Sequence, residues 1–178
     1  MTNWTQHYLD NADRFTAVVD ATDDWTAQSP CDDWSATDVL EHVVDTQRDY
    51  LTKQGAALQA KPEASPDVVW HSHIDAVRRA LADRDFATES FDGYFGPTTV
   101  EDLLANFYGF DMIVHRWDLG RSTEQDVTFG EAEMDDLQKG IDGLGESLYG
   151  PGVCKDPLDV PDDAPRQTRL LGLLGRKG

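Results

Sequence analysis

Asp111 and His115 stand four residues apart in Phe107-Tyr108-Gly109-Phe110-Asp111-Met112-Ile113-Val114-His115, a run that is otherwise mostly apolar and continues to Trp117 and Leu119. Four residues is about one helical turn, so the carboxylate and the imidazole leave the same face. Leu104 and Phe107 lie on that face too, which is therefore expected to point into a core. Burying an ionisable group without a partner costs on the order of several kcal/mol, so two of them side by side call for a reason. A shared metal ion is the simplest, because an Asp oxygen and a His nitrogen both suit a borderline cation. A core histidine with an Asp as its hydrogen-bond partner is the plainer alternative, and spacing alone leaves both open.

Two ligands on one helix do not complete a site, and the third should face inward from a neighbouring helix. His42 is the best candidate, because Val39, His42, Val43 and Thr46 share a face. The helices bearing His42 and His115 would then have to be adjacent. Two His and one carboxylate leave coordination positions open for water or substrate, as in catalytic zinc sites, and the same set also suits Fe(II) and Ni(II). Asp118 follows His115 by three residues on the same face, where it could orient a metal-bound imidazole from behind or pair with Arg121 or Arg14. The remaining histidines fit a site less well: His71 and His73 lie two apart and are expected at the surface, and His7 falls off the first helix's apolar stripe. Cys31, in a loop, either approaches the mouth of the site or is a small buried thiol. No nucleophile elbow and no glycine-rich phosphate loop is visible.

The elements that would carry these residues are helical. Trp4, Tyr8, Ala12, Phe15 and Val19 make an amphipathic stripe over residues 3–22. Ser35 with Asp38 caps a second helix running to about Leu58, and Pro66 suits the first position of a third, about 66–84. Residues 85–97 read as an irregular link. Thr98 with Glu101 reads as a capping box opening the most hydrophobic helix, about 99–121, and Thr128 with Glu131 as another before a fifth helix ending near Tyr149. Residues 150–178 are an extended tail whose Arg169–Leu174 segment docks as a short helical turn. No strand pattern stands out. The expectation is one all-α domain over 1–178, a four-helix bundle with an extra C-terminal helix and tail packed outside.

Composition narrows the partners. Among 178 residues, 34 Asp and Glu face 15 Lys and Arg, for a net charge of -19. Such a surface repels phosphate backbones and anionic lipid, so no nucleic acid and no membrane partner is expected. No apolar run approaches the roughly 20 residues of a membrane span, and Met1-Thr2-Asn3-Trp4-Thr5 lacks the start of a signal peptide, which points to the cytoplasm. Two cysteines, Cys31 and Cys154, are too few for a disulfide framework.

One further pattern is specific. Ser29-Pro30-Cys31-Asp32-Asp33-Trp34-Ser35-Ala36-Thr37-Asp38-Val39-Leu40-Glu41-His42-Val43-Val44 resembles the opening signature of the metal-binding domain of mycothiol-dependent maleylpyruvate isomerase. Val114-His115-Arg116-Trp117-Asp118-Leu119-Gly120-Arg121-Ser122-Thr123 resembles the matching fourth-helix signature. The tail, Val160-Pro161-Asp162-Asp163-Ala164-Pro165 with Leu170-Leu171-Gly172-Leu173-Leu174-Gly175-Arg176, looks like that of an uncharacterised actinobacterial subgroup.

The resemblance implies a DinB-like four-helix bundle with His42, Asp111 and His115 as ligands of a divalent metal, zinc first and nickel or iron as alternatives. It also implies a low-molecular-weight thiol such as mycothiol as co-substrate, whose thiolate attacks an electrophilic carbon in a thiol S-transferase or related enzyme. Two departures argue against maleylpyruvate isomerisation itself: the isomerase has a second, C-terminal domain that this chain ends without, and its acidic ligand is Glu where Asp111 stands here. The alternatives are a metal-binding protein without turnover and a plain helical interaction module. Such bundles often pair through helix faces, which leaves a homodimer open.

Overall fold

In the computed structural model, which describes residues 3–178, local capping decides where the site-bearing helices begin. Asn3 accepts from Gln6 N–H to open α1 (Trp4–Asp20). Ser35 and Asp38 form the expected reciprocal box: Ser35 Oγ accepts from Asp38 N–H, and the Asp38 carboxylate accepts from Ser35 N–H at 2.7 Å. They set the register of α2 (Ala36–Lys53), and with it the direction of His42. This helix stops five residues before the expected Leu58. Gly55, at φ +96°, ends it, with Gly55 N–H on Thr52 O and Ala56 N–H on Leu51 O, a left-handed cap that glycine adopts without steric cost. Pro66 sits at the start of α3 (Pro66–Ala82), as its missing N–H favours.

The link before the fourth long helix is more ordered than expected. It holds a short helix, α4 (Arg84–Ala87), and a two-stranded antiparallel hairpin, β1 (Ser90–Gly93) with β2 (Gly96–Thr99), in which Phe91 pairs with Thr98. Four-residue strands that bury no residue leave no apolar signal in the sequence. The cap of the next helix is Thr99, whose hydroxyl accepts from Asp102 N–H, one residue after the expected Thr98 box. Glu101 serves another purpose: nearly buried, it takes a bidentate ion pair from Arg84, at 2.9 Å for each bond, and a hydrogen bond from Thr5.

That helix runs as α5 (Val100–Leu103), a π turn at Leu104–Tyr108, and α6 (Gly109–Ser122). The π turn inserts one residue into the helical register. Val100 before it, Leu104 at its first position, and Met112 and Leu119 after it are all fully buried. Phe107, expected on the buried face with Asp111, stands 42% exposed instead.

α6 packs against α1 and α2, and α3 packs against the same two helices, making a four-helix bundle. Its core is built from Tyr8, Phe15, Leu40, Leu51, Trp70, Leu81, Leu104 and Met112. At its centre Gln47 Oε1 accepts from Tyr8 Oη at 2.5 Å and meets His73 Nε2 at 2.8 Å. His73 is thus a core residue, 1% exposed, against the expectation of a surface one. Helical spacing places His71 and His73 on opposite sides, and the Trp70, His73, Ile74, Val77 stripe takes one of them inside.

This compact unit ends at Val127, and residues 128–178 form a second. In the second, α7 (Glu131–Leu144) is opened by Glu133, whose carboxylate accepts from Gly130 N–H at 2.9 Å, two residues beyond the expected Thr128–Glu131 box. A 3-10 turn covers Gly145–Tyr149, where the sequence pattern continues the helix, and α8 (Arg166–Leu173) is longer than the single turn expected. Arg166 bridges α8 to Glu131 and Asp135 of α7. The chain is therefore mainly helical, with one small hairpin, and among the described residues no helix is long and apolar enough to cross a membrane.

Candidate metal centre

His42 sits at the rim of the buried stripe that α2 turns inward. Val39, Leu40, Val43 and Val44 are all fully covered, while the His42 side chain keeps 30% exposure. α6 supplies the other two groups, Asp111 at 32% and His115 at 8%. Because α2 lies against α6, three donors from two helices meet: Asp111 Oδ2 is 3.3 Å from His42 Nε2, and Asp111 Oδ1 is 3.3 Å from His115 Nε2. The donor atoms of the three residues lie within 4.8 Å of one another. A tetrahedral ion with ligands at roughly 2.0–2.1 Å spaces neighbouring donors about 3.3 Å apart. Each of the two separations, one to each Asp111 oxygen, is close to that spacing, and two imidazole nitrogens with a carboxylate suit a divalent cation in their chemistry.

Behind His115 stands Asp118, wholly buried, with Oδ2 2.9 Å from His115 Nδ1. The carboxylate accepts the Nδ1 proton and so presents Nε2 to the site, as outer partners of metal-bound histidines do. His42 and His115 meet edge to face, centroids 4.8 Å apart.

Two residues of the loop before α2 complete the surroundings. Trp34 lays its ring 5.0 Å from that of His42 and 5.9 Å from that of His115. Cys31 Sγ lies 3.4 Å from Asp118 Oδ2, so the thiol stands behind His115, on the Nδ1 side, rather than at the mouth of the site. Trp34 escaped the sequence reading because nothing marks a loop tryptophan as a site wall; its place within the Ser29–Val44 signature was the available signal.

Without a cation the cluster is held by a proton. Burial works against the charged form of His115, but the Asp111 charge, with hydrogen bonds to Asp111, Asp118 and Cys31, holds its pKa well above the usual imidazole value. Burial likewise opposes ionisation of Asp111, but the charge and hydrogen bonds of His115, then those of His42, keep it well below the usual carboxylate range. An imidazolium between two carboxylates satisfies the buried charges, and a cation and that proton compete for the same nitrogen.

A second trio, Cys31, His115 and Asp118, also brings its donor atoms within 4.8 Å but shares His115 with the first. His71 lies apart from the centre, paired with Asp20 at 2.8 Å.

Two uncharacterised proteins of Mycobacterium tuberculosis, from strains CDC 1551 / Oshkosh and ATCC 25618 / H37Rv, are each 29% identical to the chain over 154 residues, covering 83% of it and 82% of their own length. No solved structure matches. The model of the mycothiol maleylpyruvate isomerase N-terminal domain matches residues 6–120, more than half of the chain and all of the cluster, and the protein belongs to that DinB-like family.

Proposed function

We propose that this protein is a divalent-metal-dependent thiol S-transferase, or a closely related thiol-dependent enzyme, that takes a low-molecular-weight thiol of the mycothiol type. The observation that carries the reading is the donor triangle of His42, Asp111 and His115. Its donor atoms lie within 4.8 Å of one another, and it lies where His42 and Asp111 still meet solvent. A site with three protein ligands keeps a position for a substrate atom, unlike a closed structural site. Zinc is the first choice for this donor set, with nickel or iron as alternatives.

When bound, a divalent cation would lower the pKa of a thiol entering the open position, and the thiolate is the reactive form. The chain's own residues supply the rest. His42 and His115 offer Nε2, and Asp111 offers a carboxylate that offsets part of the cation's charge. Asp118 keeps His115 in the tautomer that leaves Nε2 free. Trp34, against both imidazoles, gives the site an apolar wall that limits water and offers a face to the substrate.

The test is turnover by zinc-loaded protein given mycothiol and a panel of electrophiles. Thiol consumption that needs the metal and is lost in His115→Ala supports the reading. Metal-loaded protein that neither binds nor consumes mycothiol with any electrophile overturns it.

A further inference from the structure

The loop that carries Cys31 is held from several sides. Ser29 N–H donates to Trp34 O at 2.9 Å, Trp34 N–H to Cys31 O at 3.2 Å, and Cys31 N–H to Ser29 Oγ at 3.1 Å. The Gln28 side-chain amide donates to the carbonyls of Ser29, Cys31 and Trp34. Asp33 turns the loop at φ +61°, a left-handed conformation that Asp tolerates better than most non-glycine residues. The position of the Cys31 thiol is therefore set by the loop.

That thiol faces the pair formed by Asp118 and His115. Cys31 Sγ is 3.4 Å from Asp118 Oδ2, the same oxygen that lies 2.9 Å from His115 Nδ1. A single carboxylate oxygen thus takes a donor from the imidazole and a donor from the thiol. Asp118 is wholly buried, so no bulk water competes for it. The three residues come from two distant parts of the chain, the loop before α2 and the last turns of α6.

We propose that Cys31 is a positioning residue of the metal centre: its S–H holds the Asp118 carboxylate in the orientation that fixes His115, and so tunes how tightly the cation is held at His115 Nε2. This rests on the reading of His42, Asp111 and His115 as the ligands. The thiol acts from the Nδ1 side of the imidazole, while the donor triangle lies on the Nε2 side. A thiol is a weak donor, so its loss costs less than loss of Asp118, and a serine hydroxyl can replace it.

The test uses cobalt(II) as the probe ion on metal-depleted, reduced full-length protein, comparing wild type with Cys31→Ala, Cys31→Val and Cys31→Ser by visible absorption and affinity. Thermal unfolding checks that each variant is folded, and Ala and Val differ in volume, so a packing defect in one does not decide the result. The expected outcome is binding weakened by about 3–10-fold in both Ala and Val variants, below the usual range for outer partners of metal ligands. Their ligand-field bands should be altered, and Cys31→Ser should return the wild-type spectrum and affinity within about 2-fold. Unchanged affinity and bands in the Ala and Val variants overturn the role. So does a sulfur-to-cobalt charge-transfer band in wild type that vanishes in Cys31→Ala, because Cys31 would then be a ligand. If wild type takes up no cobalt, the three-ligand reading itself fails, and this proposal with it.

Discussion

Asp118 Oδ2 stands 2.9 Å from His115 Nδ1, one turn along the same helix, and the carboxylate is wholly enclosed by protein. A buried carboxylate aimed at the far nitrogen of an imidazole decides which nitrogen is left for the site. Asp118→Asn keeps the shape and an acceptor oxygen but removes the charge that favours the Nδ1–H tautomer. Zinc affinity, measured by competition with a chromophoric chelator, is expected to fall about 10–100-fold. Unaltered affinity would remove Asp118 from the centre.

Metal uptake should release a proton. In the metal-free protein His115 holds its proton well above the usual imidazole range, because Asp111 and Asp118 face it. Zinc binding at pH 7 is therefore expected to expel about one proton, measured by calorimetry in buffers of different ionisation enthalpy, and affinity should weaken as pH falls. Stability of the metal-free protein follows from the same shifts. The raised His115 contributes fully below about pH 6.5, and its contribution is lost as pH rises through its folded value. The depressed Asp111 contributes above about pH 3.9 and is lost as pH falls. Thermal melts of chelated protein should decline toward alkaline pH, and zinc-loaded protein should not follow them. Parallel curves would contradict this.

His73 gives a separate acid sensitivity. Burial, with a smaller push from the Arg48 charge, lowers its pKa to about 3. An unfolded chain protonates imidazole at about 6.5, so between those values the unfolded state binds the extra proton. Acid then costs stability at up to about 1.4 kcal/mol per pH unit, and above about pH 6.5 the residue contributes no pH dependence. His73→Gln is expected to lose about 1–3 kcal/mol at pH 7 through the disturbed core contact with Gln47, but to show a shallower decline between pH 6 and 4. Urea unfolding at several pH values measures both; equal slopes would contradict the assignment.

The π turn makes a prediction about register. Phe107 is partly exposed, with its ring edge-on to Tyr108, so Phe107→Ala should cost about 1 kcal/mol or less. Deleting Phe107 is a different matter. Restoring α register would turn the Val100 and Leu104 side relative to the His115 side by about 100°. Both are fully buried, and the deletion is expected to cost about 3 kcal/mol or more. Thermal unfolding of the two variants separates the effects, and a deletion as mild as the alanine change would show that the inserted residue sets no register.

The sequence revealed what depends on period and cap. The Tyr8, Phe15 and Val19 stripe, the Ser35–Asp38 box and Pro66 lie where their patterns place them, and His42 and His115 meet because α2 and α6 are neighbours. Features decided by tertiary contact were hidden. Glu101 sits where a capping box would use it, yet Arg84 and Thr5 claim it. His73 turns inward because Gln47 and Tyr8 meet it there. The π turn carries no composition of its own, and so Phe107 was read onto the wrong face. Trp34 acquires its place at the centre only when its loop closes over α2 and α6.

The most direct measurement is the metal content of purified, tag-free protein by plasma mass spectrometry, beside His42→Ala and His115→Ala variants whose folding is verified by circular dichroism. The expected result is close to one divalent ion per chain in the parent and a marked loss in both variants. No metal in the parent after reloading with zinc, nickel and iron, or equal content in all three proteins, would contradict a cation held by His42, Asp111 and His115.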